Sequence, residues 1–559
     1  MFIRIKSTPN SPRKSVQLVE SVRVGGKVKQ QIVRHVGIAM DDDELQRLQD
    51  LAFHIKTKIE ASHQANLFTP EYLAPLAIQA RKHIKDLDQP DELPVDLKRL
   101  EEEQRTIVGI HEIYGEIYRM LGFTDCLGWP KRHQSAAELL SHVTLARIAN
   151  PVSKRASTAM LERDFGIHLN LDRIYKMMDK IDDSVINRIQ ALAYSAAQDL
   201  FKEKIDVLFY DCTTLYFESF TEDELKQNGY SKDFKFNQPQ VILALLVTQH
   251  GLPVGYEVFP GSCYEGHTLI SVLTRLKSRY DLKRIIFVAD RGMLSEENLS
   301  FLEATQLEYI VGARIRGLKK SLKEQILDES HYVHDVNEEA ENKSRYAEFK
   351  QSGNRRLIVS YTEPRAKKDR YDREKAISKL TEKLKKSKNP TELISNYGYK
   401  KYLKVAGKKT VSIDQEKLEE NARWDGLHGV ITNNIHLSAA EILAHYRSLW
   451  EVEESFRINK HDLKVRPIFH WVPPRIKAHL AIAFMAFTCV RHLEYRIKLQ
   501  YKKMSPEEIR KELLHVQVSI LKNTSTHQRY CVPSKMGQDA RKIYKIMGVK
   551  YSTTPFKID

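Results

Sequence analysis

The sequence predicts an α/β protein built on a mixed β-sheet, and three observations predict it. Strand-like apolar runs alternate with helical ones between about residues 204 and 314. Two of those runs end in an aspartate, Asp211 and Asp290. A third carboxylate, Glu453, lies on a segment whose aromatic and basic residues recur at helical spacing.

Taken in order, Lys204 to Asp211 alternates Ile205, Val207 and Phe209 with other residues, the period of a strand. Gln240 to Gln249 and Leu252 to Phe259 are strand-like runs joined through Gly251, which predicts a hairpin. His267 to Tyr280 carries Leu269, Val272, Leu273 and Leu276 on one helical side. Arg284 to Asp290, RIIFVAD, is apolar enough for a strand buried on both faces. A helix near Ser295 to Thr305 and a strand from Tyr309 to Arg314 complete the series. Strand, strand, strand, helix, strand, helix, strand is the order of a ribonuclease H-like core. Asp211 and Asp290 then stand at the C-terminal ends of its first and fourth strands, where open α/β sheets place their sites.

The segment Tyr446 to Lys460, YRSLWEVEESFRINK, reads as one helix. Tyr446, Leu449, Trp450, Glu453, Phe456, Arg457 and Lys460 fall on one face at steps of three and four. A carboxylate among cations suits a site holding a hard metal ion and a phosphate together. For an isolated helix the commoner meaning is a solvated charged face; the two upstream aspartates change that balance.

With these residues in view, the chain resembles bacterial insertion-sequence transposases with a DDE catalytic domain. More narrowly, it resembles the group with a Y-x2-R-x3-E-x6-K signature. Tyr446, Glu453 and Lys460 occupy three of its four positions, while Leu449 stands at the arginine position and Arg447 lies two residues earlier. The Leu449-Trp450 pair resembles a variant branch of that group, as do DCTTLYFES from Asp211, VADRGMLS from Val288 and KVRPIFHW from Lys464. Glu453 is preferred over Glu451 and Glu454 because it alone has the signature spacing from Tyr446 and Lys460. The resemblance covers about residues 200 to 500. It implies a homodimer that pairs transposon ends in a synaptic complex, in the bacterial cytoplasm and on the nucleoid when DNA-bound.

Bulk properties agree. The 559 residues have a formal net charge of +16. A lysine and arginine excess supplies the phosphate-neutralising part of DNA affinity, although other basic protein classes share it. The five cysteines, Cys126, Cys212, Cys263, Cys489 and Cys531, show neither zinc spacing nor a disulfide framework, which suits a reducing cytosol. No signal-peptide pattern opens the chain. The apolar run His479 to Val490 is too short to span a bilayer and reads as a core helix, so no membrane partner is expected.

The rest of the chain divides as follows. Residues 1–40 hold a basic β-hairpin around Gly25-Gly26, with eight Lys or Arg and one acid, Glu20, in the first 37 residues. Residues 41–95 are a helix and a proline-containing linker. Residues 96–200 read as helical throughout, a domain for binding DNA ends or for supporting the core. The catalytic core takes 201–318 and 423–500, interrupted by a largely β insertion at 319–422. That insertion includes the basic helix Arg365 to Lys388, whose expected meaning is a solvated face with pairs such as Asp369–Arg373. Trp424 to Asn434 re-enters the core as a strand, and 501–559 is a C-terminal helical region.

The chemistry these residues suggest is phosphodiester cleavage and transfer. Two ions, Mg²⁺ or Mn²⁺, held by Asp211, Asp290 and Glu453, serve both ends of an in-line displacement. Tyr446, Arg457, Lys460 and Arg291 are candidate phosphate contacts, and Trp450 a candidate for stacking on a base. The DNA would be double-stranded: terminal inverted repeats and a target. Two other readings stay open, a ribonuclease H-like nuclease without strand transfer and an inactive DNA-binding regulator derived from a transposase.

Overall fold

A computed structural model describes residues 1–7, 14–24, 27–39, 42–62, 95–128, 130–201, 207–218, 220–230, 237–279, 286–334, 344–351, 353–386, 401–406 and 410–558. Its centre is a mixed sheet of nine strands among the described residues. In chain order these are β1 (Val207–Tyr216), β2 (Gln240–Thr248), β3 (Pro253–Pro260), β4 (Ile286–Ala289), β5 (Glu308–Ala313), β6 (Val333–His334), β7 (Ser344–Lys350), β8 (Arg356–Thr362) and β9 (Leu427–Thr432). Across the sheet they run β6-β7-β8-β9-β5-β4-β1-β2-β3. β4 is parallel to both β1 and β5, and every other neighbouring pair is antiparallel. The first five strands in the order β3-β2-β1-β4-β5 form the expected ribonuclease H-like core.

The sheet has a core on each face. Leu208, Tyr210, Phe287, Ala289, Tyr309 and Val311 point to the side covered by helices Thr268–Arg279 and Glu296–Ala304. Val207, Phe209, Ile286, Val288 and Ile310 point to the other side. There the helices α1 (Pro130–Ala149), α2 (Lys154–Phe165), α3 (Ala439–Arg447), α4 (Trp450–Arg457) and α5 (Pro473–Gln500) supply the partners. α5 is longer than the apolar run from His479 suggested. Its 28 residues are long and apolar enough to cross a membrane by length and composition, yet its apolar window is 94% buried inside the protein. It packs on α1 and β3 as the core helix its sequence predicted.

Four expectations are corrected. The strand carrying Asp211 does not end there: β1 continues to Tyr216, because β2 pairs with it from Leu208 to Tyr216. The β-branched and aromatic stretch CTTLY sustains that pairing. The strands β6, β7 and β8, which fall within the expected insertion, are hydrogen-bonded into the core sheet beside β9. Residues 96–200 are not helical throughout, since Leu100–Ile107 is a strand. It pairs with Gln517–Asn523, so the C-terminal region is mixed rather than helical and completes a four-stranded sheet with it. A strand as polar as LEEEQRTI carries little local signal, and its partner lies some 400 residues away. Near the N-terminus the hairpin Lys14–Val24 with Lys27–Ala39 gains a third strand, Phe2–Ser7, under the helix Asp42–Ser62. The Gly25-Gly26 turn and the 86–94 linker lie outside the described residues.

Candidate active site

The parallel register of β1 and β4 brings the two aspartates together. Tyr210 is paired with Ala289, the last couple of that ladder. Asp211 and Asp290 are the next residue on each strand, and neighbouring strands stand about 4.8 Å apart. Alternation gives Asp211 the side of Val207 and Phe209, and Asp290 the side of Ile286 and Val288. Both therefore sit on the sheet face that α4 covers. Asp211 is the end of a strand only with respect to β4.

Asp290 caps the turn Arg291–Met293, accepting the Arg291 N–H at 2.7 Å. It also accepts a hydrogen bond from the Tyr446 hydroxyl at 3.3 Å. Gly312, next to this contact on β5, makes room for it: a Cβ there would strike the Tyr446 oxygen and lie 2.9 Å from the Arg291 nitrogen. Burial, then the Asp290 charge, hold the Tyr446 phenol above its usual value, so it stays a donor. The His428 ring lies against Tyr446, centroids 4.9 Å apart, and burial drops its pKa to about 4. It is neutral at pH 7.

The segment Tyr446 to Lys460 is not one helix. α3 ends at Arg447 and α4 begins at Trp450. At the joint, Leu449 bonds back to Tyr446, Glu451 to Ser448 and Val452 to Leu449, a tightened i→i+3 ladder. Buried Leu449 anchors it. α4 ends in a π turn, Ile458–Asp462, closed by the Leu463 N–H on the Ile458 carbonyl. The continuous face predicted from periodicity is thereby divided. Leu449 and Phe456 are core residues. Arg457 turns to Glu454, bonding its carboxylate through Nε at 2.7 Å and through a second nitrogen, with Asp462 nearby. Lys460 is half-buried in the π turn.

Asp290, Arg291, Tyr446, Trp450 and Glu453 line one cleft of about 530 Å³. Asp211, Arg457 and Lys460 are not in its lining. The glutamates of α4 have different surroundings. Glu451 is buried against Arg491 at 2.9 Å, and Glu454 holds Arg457. Glu453 is exposed and engaged by no arginine among the described residues. Arg491 also bonds Glu494 and the Gly251 carbonyl, so α5 ties α4 to the β2–β3 hairpin. Periodicity missed two cations of the cleft, Arg365 and Arg447. Arg365 opens the basic helix of the expected insertion, Glu363–Lys386. The expected Asp369–Arg373 pair does not form: Arg373 grips Asp425 and Asp369 accepts the Gly426 N–H at 3.0 Å. These bonds dock the helix on the core and bring Arg365 to the site. A second groove of about 420 Å³ continues from the cleft past Arg314 and Arg316.

All three candidate metal ligands are carboxylates, the donor class hard cations take. They do not converge on one point; among the described residues no three Asp, Glu, His or Cys side chains stand close enough to share an ion.

Comparison with known proteins follows the same line. Residues 202–489 match the family model described as a transposase DDE domain, and residues 3–65 match the IS1634 family transposase N-terminal domain. No curated protein sequence matches significantly. Among solved structures, a piggyBac transposase synaptic complex with hairpin DNA aligns at TM-score 0.37 and 10% identity, over 73% of this chain and 78% of that one. A Mos1 transposase paired-end complex with the left transposon end aligns at TM-score 0.14 and 14% identity, over 48% of this chain and 77% of that one. The transposase DDE domain model spans more than half of the chain, which belongs to that transposase family.

Proposed function

We propose that this transposase binds the inverted repeats at the ends of its element, cuts them by metal-dependent phosphodiester hydrolysis, and joins the freed 3′-hydroxyls to target DNA. One observation carries the reading: Asp211 on β1 and Asp290 directly after β4 follow the last in-register pair of that ladder on the sheet face covered by α4, and Asp290 and α4's Glu453 line one cleft with three arginines. Asp211, Asp290 and Glu453, which offer the right donors but are not gathered on one point in this structure, would have to draw together to hold Mg²⁺ or Mn²⁺, two ions in all. When bound, these ions activate the attacking oxygen and stabilise the leaving one.

The protein's own groups then have distinct tasks. The Tyr446 hydroxyl fixes the Asp290 carboxylate. Arg291, Arg365 and Arg447 face the cleft and orient phosphate oxygens. Leu449, being buried, makes no phosphate contact, and Arg365 or Arg447 supplies the cation that the narrower signature places at its position. Trp450 is half exposed on the cleft wall, with the Lys503 ammonium 5.8 Å over its ring, and is open to a base. The protein works as a homodimer that pairs two ends, on the bacterial nucleoid.

Purified protein with linear end DNA and Mg²⁺ tests this. Cleavage followed by joining supports it. Cleavage without joining would make the protein a nuclease, and binding without cleavage a regulator. Full activity in EDTA would remove the metal mechanism. The mass of the protein–end complex by light scattering checks the dimer.

A further inference from the structure

A second cavity, of about 180 Å³, lies between α1–α2 and the chain just after the π turn. Its lining includes Arg147, Lys154, Lys464, Arg466, His470 and His479 and, among the described residues, no carboxylate. Two of these cations are unusually deep, Lys154 at 5% exposed and Arg147 at 6%. Arg147 donates to the Leu463 carbonyl at 2.8 Å and to the Lys464 carbonyl at 3.2 Å, but its Nε is buried without a partner. His479 bonds the Val465 carbonyl through Nε2 at 3.2 Å and leaves Nδ1 buried and unpaired. Lys154 has no hydrogen-bond or ion-pair partner among the described residues, and it lines the cavity.

Burying two neighbouring cations with no counter-charge among the described residues is unfavourable. Burial, and then the Arg147 charge, push the Lys154 ammonium well below its ordinary pKa. An anion in the cavity removes that cost. The cavity also meets the first turn of α2, which Ser153 caps and whose leading N–H groups point outward. Arginine and lysine together beside a helix N-terminus select phosphate oxygens.

We propose that this cavity holds one backbone phosphate of the bound DNA strand, away from the reacting phosphate. The proposal rests on the reading of the chain as a DNA-cutting transposase. The cavity is joined to the catalytic strand: the Arg466 guanidinium lies 5.5 Å over the Tyr216 ring, and the Ile468 N–H donates to the Tyr216 carbonyl at 3.2 Å. Tyr216 is five residues beyond Asp211, roughly 17 Å at strand rise. That is about five nucleotide steps of duplex. A phosphate held there sets the register of the DNA against the cleft.

The test compares wild type with Lys154→Met in the full-length protein. End-DNA binding across a salt series is expected to weaken about tenfold in the variant, with a salt slope smaller by about one unit. Thermal melting of the variant should be unchanged or raised, since a buried unpaired charge is removed. Inorganic phosphate should raise the melting temperature of wild type and not of the variant. Neutral methylphosphonates placed one at a time along the end should reveal one position that costs wild type affinity and costs the variant nothing. Wild-type DNA binding by Lys154→Met overturns the proposal, as does a loss of several degrees in melting temperature. If phosphate stabilises wild type but no methylphosphonate position couples to Lys154, the cavity takes a free anion and the DNA assignment is wrong. Failure of wild type to bind or cut end DNA removes the transposase reading and this assignment with it, while the phosphate-dependent melting still reports on the cavity alone.

Discussion

The Tyr446 hydroxyl donates to Asp290 Oδ1 at 3.3 Å, across a gap left open by Gly312. Tyr446 lies in the last turn of α3 and Asp290 directly follows β4, so this bond couples the helical side of the cleft to the sheet. Tyr446→Phe removes only the donor. A hydrogen bond to a charged acceptor contributes about 1.5–3 kcal/mol, and this one is long, so a fall in cleavage rate of about tenfold is expected. Gly312→Ala should cost at least as much, because its methyl displaces the ring. Single-turnover cleavage of pre-bound end DNA measures both. An unchanged rate in Tyr446→Phe would show that Asp290 is held by other means.

The carboxylates of α4 should separate by experiment. Asp211→Asn, Asp290→Asn and Glu453→Gln are each expected to reduce cleavage by at least about a thousandfold, as loss of metal-holding charge would, with DNA binding and melting preserved. Glu451→Gln should do the reverse. It leaves Arg491 buried with less counter-charge and costs about 3 kcal/mol of stability, while cleavage persists at low temperature. Urea unfolding and a cleavage assay on the same samples decide it. Loss of chemistry in Glu451→Gln with retention in Glu453→Gln would mean the wrong glutamate has been assigned.

Two arginines make opposite predictions. Arg365 faces the cleft and meets Asp369 only at 3.9 Å, so Arg365→Ala should lower the salt slope of end-DNA binding by about one unit. Arg457 is already gripped by Glu454, so Arg457→Ala should leave that slope unchanged. Equal slopes for both variants would return Arg457 to the DNA-facing role that helical periodicity suggested.

Acid should destabilise the fold. Burial drops His428, His470, His250 and His111 to about 4. The unfolded chain protonates them near 6.5. Above that pH both states are neutral and stability is intact. As pH falls from 6.5 towards 4, only the unfolded state takes up protons, so stability is lost, about 1 kcal/mol per histidine at pH 5.5. Melting at pH 7.5 and 5.5, with proton uptake measured on unfolding, tests this. A melting temperature that is flat across the window would show that these rings are not kept neutral.

The sequence alone was enough for the order of the first five core strands and for placing Asp211 on one of them and Asp290 directly after its parallel neighbour. These rest on local period and spacing, which nearest neighbours along the chain control. What pairs at long range was decided only in three dimensions. The polar strand Leu100–Ile107 exists because Gln517–Asn523 pairs with it. Arg365 reaches the cleft because Arg373 and Asp369 clamp its helix to Asp425 and Gly426. The segment predicted as one helix is broken between Arg447 and Trp450, which separates Tyr446 from Glu453, and Arg457 is drawn to Glu454 by an ion pair that periodicity does not reveal. A helical period describes which residues share a side of a straight helix. Which side meets the core, and whether the helix stays straight, depends on the surfaces packed against it.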